Sequence, residues 1–225
     1  IQNWVLGGED VVDVVMFYDK WVLDSAAYFH NFDDLYYVDL SQNYWNPNIT
    51  QMFKINGKQI AASGAFSLGM LSRTMVTVFN KEIYTNRFGD VSSMYAYVDN
   101  NEWTLEKLYE LGAEVVFSQD DVWDTKDQYG ISASKKTLYT ALMVGSGIQF
   151  VQKGKDGIPE FKLSGDTLTL DKLQKILVLN QDNHVYYDTS NDPNMSDPEN
   201  FFEDEHTLFG FRVLDAIPTA RALMD

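Results

Sequence analysis

Two short stretches, Phe17-Tyr18-Asp19 and Phe66-Ser67, set aromatic rings directly beside hydrogen-bonding side chains. Rings stack on flat apolar surfaces, while carboxylate and guanidinium groups make charge-assisted hydrogen bonds to hydroxyls. Together they can hold a small polyhydroxylated ligand without any covalent step. Phe17, Tyr18, Phe66 and Phe211 are the ring candidates. Asp19, Arg73 and Arg212 are the charged candidates, with Ser67 and Ser134 as weaker partners. The same residue types also fill cores and solvate surfaces, so the elements that carry them decide between the two uses. Trp45 and Trp103 read as packing residues at helix starts.

Catalytic signatures are poor. His30, His184 and His206 are scattered without metal-ligand spacing. There is no cysteine, no G-x-S-x-G and no phosphate loop, and Gly7-Gly8 precedes a strand-like run instead of following one. Asp192, Asn194, Ser196 and Glu203 fall at calcium-loop offsets, but Asp197 stands where that loop needs glycine. No cofactor or metal is expected. A glycoside hydrolase needs two facing carboxylates about 5 Å apart, or about 6.5–9.5 Å for inversion. Asp19 with Asp120 or Asp121 is the pair that reading would use.

Composition narrows the partners. Asp plus Glu number 33 against 17 Lys plus Arg, a formal net charge of -16. The one basic doublet is Lys135-Lys136, so a nucleic-acid footprint is missing. Aromatic residues make up 14% and often adjoin polar ones, as in Asn43-Tyr44-Trp45-Asn46. Sugar-binding surfaces have this character, and so do ordinary amphipathic aromatics. The absence of cysteine is compatible with an extracytoplasmic bacterial protein. The chain starts without Met and carries no signal peptide, so it reads as a piece of something longer.

The pattern of elements is α/β. Val11–Phe17 reads as a buried, parallel strand, and Thr74–Phe79 as another. Asn56-Gly57 between alternating runs predicts a hairpin with a type I′ turn. Trp45-Asn46-Pro47-Asn48 and Asn80-Lys81 read as helix starts. Thr104 caps a helix with Leu105, Leu108, Leu111 and Val115 on one face. Leu138–Gly147 is a buried helix ending at glycine, and Gly154–Gly165 a small hairpin. Thr169 caps a further helix with Leu170, Leu173, Ile176 and Leu177 inward, and Thr207-Leu208-Phe209 is a late strand.

VVDVVMFYDK, FKINGKQIAASGAFS, TVFNKEIY, NEWTLEKLYEL and ENFFEDEHTLFGF, in this order, resemble segments of the extracellular solute-binding proteins of bacterial ABC importers. That is the sugar-binding family that includes maltose-binding protein. The resemblance implies a two-lobed periplasmic-binding-protein-like fold of type II, incomplete here because family members are about twice this length. It places residues 1–73 in a first lobe and 74–225 in a second, with the Asn-Gly hairpin leading the chain to the ligand cleft. It implies a monomer that captures a carbohydrate by hinge closure and delivers it to a membrane permease, without catalysis. The location would be extracellular, lipoprotein-anchored, or periplasmic. A glycoside hydrolase and a non-transport carbohydrate-binding surface module are the alternatives.

Overall fold

The structure, a computed structural model, describes residues 2–8, 11–16, 26–155, 157–162, 167–178, 184–191 and 206–216 of the 225. The chain gathers into two compact units, residues 1–69 with 151–161, and residues 70–150 with 162–225.

The first unit is built from short elements. Helix α1 spans Gln2–Gly7. Helix α2, Pro47–Met52, begins where Asn46 Oδ1 accepts the N–H of Ile49 at 3.1 Å. Pro47 fills the first turn, where a missing N–H costs no hydrogen bond. Strands β1 (Lys54–Ile55) and β2 (Lys58–Gln59) pair antiparallel around Asn56 and Gly57, whose φ values are 48° and 77°. Positive φ at both central residues is what a type I′ turn requires. Gln59 is 3% exposed, so its amide has to be satisfied internally. Its Nε2 donates to the carbonyls of Thr50 at 2.7 Å and Ala61 at 2.5 Å. Its backbone N–H donates to Asn31 Oδ1 at 2.9 Å. Strands β5 (Val151–Lys153) and β6 (Pro159–Phe161) form the second small hairpin.

The expected strand over Val11–Phe17 is not present in its described part. Residues 11–16 join no ladder, and Val14 and Met16 are 79% and 80% exposed. A β-branched run becomes a buried strand only where a neighbour pairs its backbone and a layer covers its side chains. Neither is found for these residues among the described ones.

The second unit holds a four-stranded mixed sheet. Its strands are β3 (Met75–Phe79), β4 (Tyr129–Ala133), β7 (Tyr186–Asp188) and β8 (Thr207–Val213), in the order β3-β8-β4-β7. β8 runs antiparallel to β3 and parallel to β4, and β4 runs parallel to β7. The register sets Thr77 opposite Phe211, and Ile131 opposite Phe209. Every residue of β4 is buried, as suits a strand covered on both faces.

Helices cover this sheet, two of them starting at the expected Asn80 and Thr104. After the short helix α3 (Leu68–Ser72), Asn80 Oδ1 accepts the Ile83 N–H at 3.0 Å to start α4 (Lys81–Phe88). Helix α5 spans Ser92–Asp99. Thr104 Oγ1 accepts the Lys107 N–H at 3.2 Å to start α6 (Leu105–Ala113). Leu108, Leu111 and Val115 are each 3–4% exposed, and Leu105 packs beside them. Burying each such side chain contributes about 1.5–3 kcal/mol. Helix α7 (Lys135–Gly145) starts three residues before the expected Leu138, because Ser134 caps it, and Gly147 follows at φ 67°.

Helix α8 spans Thr167–Leu177, so it begins before Thr169 instead of at it. Thr169 and Ile176 are the buried positions, while Leu170 and Leu177 are 47% and 54% exposed. Positions seven apart share a helix face. The Thr169–Ile176 pair took the inner face and turned the Leu170–Leu177 pair outward.

Glycine sets the closest approach in this unit. A Cβ placed on Gly130 of β4 would lie 2.4 Å from the carbonyl oxygen and 2.6 Å from the Cα of Gly112 in α6. Helix backbone therefore rests directly on strand backbone. Gly130→Ala is expected to lower stability by about 1–3 kcal/mol, the usual cost of overpacking. Gly145→Ala, where no atom lies within 4 Å of the added carbon, is expected to raise stability by about 0.5–1 kcal/mol. Urea unfolding monitored by circular dichroism measures both, and equal effects would contradict the packing argument.

Candidate functional site

The exposed rings of the first unit stand on two chain segments pinned to each other. Trp45 forms an antiparallel bridge with Gly64. The Asn46 N–H donates to Ser63 O at 2.8 Å, and the Ala65 N–H donates to Tyr44 O at 2.7 Å. A Cβ on Gly64 would sit 2.1 Å from Tyr44 O, so glycine alone permits the approach. The Ser67 N–H then donates to Gly64 O at 2.9 Å, closing a turn that lifts Phe66.

Three rings result. Trp45 and Phe66 meet edge to face, with centroids 5.2 Å apart and planes at 85°. Tyr44 and Trp45 lie 5.5 Å apart. Phe66 is 53% exposed and Tyr44 is 47% exposed, while Trp45 is half-buried and braces both. An edge-to-face pair fixes ring orientation without covering the outer face. The surface can therefore stack against a flat apolar ligand face.

The other sequence candidates go to different places. Phe17, Tyr18 and Asp19 lie outside the described residues, as do Asp192, Asn194, Ser196 and Glu203. Ser67 belongs to the Phe66 turn. Phe211 is 4% exposed and packs into the core of the second unit. Arg73 lies 3.6 Å from Asp215 and is mostly exposed. Arg212 Nη1 donates to Phe211 O at 3.1 Å. Ser134 Oγ accepts the Thr137 N–H at 3.2 Å, a capping role. Arg212 and Ser134 share the carboxyl edge of the parallel strands, since Ser132 is in register with Gly210. Asp120 and Asp121 are exposed in the acidic segment before β4. Trp103 packs on Phe209 at 5.4 Å, as a core residue.

Sequence reasoning missed a polar cluster at that carboxyl edge. Asp188, at the end of β7, accepts from the N–H of Lys135 at 3.3 Å and from the N–H of Ser190 at 3.0 Å. The Lys135 ammonium stands 3.1 Å from its other oxygen. Burial pushes the Asp188 carboxyl up, but the Ser190 hydrogen bonds and Lys135 outweigh it and hold the group below its ordinary value. Tyr186 is pushed up by burial and by Asp188, so it stays a donor, and its hydroxyl donates to Ala133 O at 2.9 Å. The first backbone donor of α7 is thus already occupied by the protein's own groups. At the opposite end of β4, Tyr129 is pushed up to about 12 by burial, then by Asp127 and Asp124. Trp123 beside it stacks flat on His184 at 4.0 Å.

No protein-family model and no curated protein matches the sequence. In fold the chain is similar to the crystal structure of M. tuberculosis UspC, with a TM-score of 0.54 and 15% identity. The match covers 93% of this chain and 57% of the UspC chain, so the likeness spans little more than half of that protein. Among the described residues, no helix is long and apolar enough to cross a membrane. The sequence resemblance to the extracellular solute-binding family is therefore corrected. No family model supports it, and identity this low shows a shared mixed α/β fold alone. The quoted segments are short strand, turn and capped-helix patterns, which unrelated α/β chains share.

The Asp188 cluster gives a pH test with a definite sign. A depressed carboxyl contributes stability above its unfolded pKa and loses it as pH falls through the folded value. Asp188→Asn should lower stability at pH 7 by about 1–3 kcal/mol, the range for hydrogen bonds to a charged group. The deficit should shrink once pH falls below the ordinary value of 3.8. Urea titrations between pH 7 and pH 3 measure it, and a deficit independent of pH would remove the electrostatic explanation.

Proposed function

We propose that this chain is a binding protein that captures a carbohydrate reversibly and passes it to the membrane permease of an importer, outside the cytoplasm. The observation that carries this reading is the braced, half-exposed ring set of Tyr44, Trp45 and Phe66. Such rings match the apolar face that a pyranose presents on one side, while Ser67 beside them offers a hydroxyl to the sugar's edge. The net charge of -16 sets up no long-range repulsion of a neutral sugar. The mixed α/β fold shared with UspC does not by itself name an activity or a solute. Binding, not turnover, is the proposed activity.

Calorimetry against a panel of neutral mono- and oligosaccharides tests the proposal. Saturable heat with at least one neutral sugar, and no release of reducing ends on prolonged incubation, is the expected result. Phe66→Ala should then weaken that sugar by about 1–3 kcal/mol, the scale of one aromatic stacking contact. The thermal midpoint of Phe66→Ala should move little, because an exposed ring leaves no core cavity when removed. Affinity unchanged with stability sharply lowered would make Phe66 a packing residue. Release of new reducing ends would replace binding by hydrolysis.

A further inference from the structure

Among the described residues, no strand pairs with the outer edge of β3. In β3–β8, the Asn80 N–H donates to Leu208 O at 2.8 Å, and the Leu214 N–H donates to Thr74 O at 3.0 Å. Antiparallel pairing alternates, so the even-numbered residues of β3 turn their N–H and C=O groups toward β8. Met75, Thr77 and Phe79 turn theirs the other way. No described strand lies there, because β3 is the last strand of the sheet on that side. An exposed row of unpaired backbone groups is a template for another strand. The usual protections are missing, since MVTVF contains no charge, no proline and no bulge.

A second feature borders the same edge. An apolar groove of ≈ 380 Å³ opens against Met75 and Thr77 and is walled by Trp103, Leu105, Leu142 and Phe211. An added strand would find backbone partners along β3 and an apolar wall for the side chains on its inner face. Affinity from main-chain bonds and selectivity from alternate side chains is how strand addition works.

Charge decides which strand fits. Arg73 precedes β3 and Lys81 follows it, both exposed, in a chain that is otherwise strongly acidic. The Arg73 guanidinium is also 3.6 Å from Asp215, and Glu82 adjoins Lys81, so each cation is partly offset. A second copy paired antiparallel about Thr77 would set Arg73 opposite Lys81 of the other copy. Like charges facing across a pair destabilise it. We infer that the outer edge of β3 is a docking site for an extended polypeptide with alternating apolar residues and acidic ends, bound as a fifth strand over the groove.

Amide hydrogen exchange by NMR tests this with a synthetic nine-residue probe, acetyl-Asp-Thr-Val-Thr-Val-Thr-Val-Thr-Asp-amide. In the protein alone, the amides of Met75, Thr77 and Phe79 should exchange fast, while those of Val76 and Val78 are protected by β8. Saturating probe should slow the three outer amides by about tenfold or more, as ladder bonds do, and leave the two inner ones unchanged. The same peptide with lysine at both ends should bind less tightly. Thr77→Pro removes the central outer donor but none facing β8, and should abolish the new protection. Should that variant fold poorly, a probe N-methylated at alternate residues tests the same bonds on the unaltered protein. No binding at millimolar probe, or binding without protection at these three amides, overturns the proposal. Protection that grows with protein concentration in the absence of probe also overturns it, and assigns the edge to a second copy of the chain.

Discussion

The contact of Gly112 with Gly130 determines how the second unit is layered. Ordinary helices stand off a sheet by the length of two side chains. Here α6 meets β4 backbone to backbone, because neither residue carries a Cβ. Glycine inside a helix costs about 1 kcal/mol relative to alanine. The close approach offsets that cost by bringing Leu108 and Leu111, both in the turn before Gly112, into the core with Ile131 and Val185. Trp103, just before α6, then reaches Phe209 on the neighbouring strand. Moving α6 outward by even one methyl would loosen this set together, since well-packed cores yield little to added volume.

Gly64 plays a corresponding part in the first unit. Its approach to Tyr44 O aligns the two segments, and the bridge to Trp45 puts three rings in one group. Under the proposed binding role, rigidity there matters. A ring already held at its angle by a neighbour loses less freedom when a ligand stacks on it, and that loss otherwise opposes binding. The buried side-chain amide of Gln59 ties the hairpin to α2 and its backbone N–H ties it to Asn31, which stiffens the base from which these segments rise.

The second unit divides its polar groups in the opposite way. At the carboxyl edge of its parallel strands, where open α/β sheets commonly bind ligands, Asp188, Ser190 and Lys135 satisfy one another. Among the described residues, the outward backbone N–H and C=O groups of β3 are a further hydrogen-bonding capacity with no strand partner. Backbone amides cannot be supplied by a change of side chain, so this capacity follows from strand order and would persist through most substitutions in β3.

Local rules were legible in the sequence. Asn56-Gly57 made its turn, and Asn46, Asn80 and Thr104 each cap a helix, whereas the cap at Ser134 was not read from the sequence. These features depend on bonds within three or four residues, so neighbouring letters suffice to specify them. The turn that carries Phe66 and Ser67 is a local feature of the same kind, closed by the Ser67 N–H to Gly64 O bond. Tertiary structure decided the rest. Val11–Met16 has a strand's composition but no paired neighbour among the described residues, and composition cannot supply one. Leu170 and Leu177 have a core residue's chemistry but face outward, because a helix has one inner face and Thr169 with Ile176 occupies it. Phe211 reads as a ligand-facing ring, yet β8 lies between two strands and buries it. Tyr44 joined the site only because Gly64, 20 positions on, carries no Cβ and lets the chain return to it. Each of these outcomes turns on which distant backbone comes within about 5 Å, and that distance is set by packing, not by adjacency along the chain.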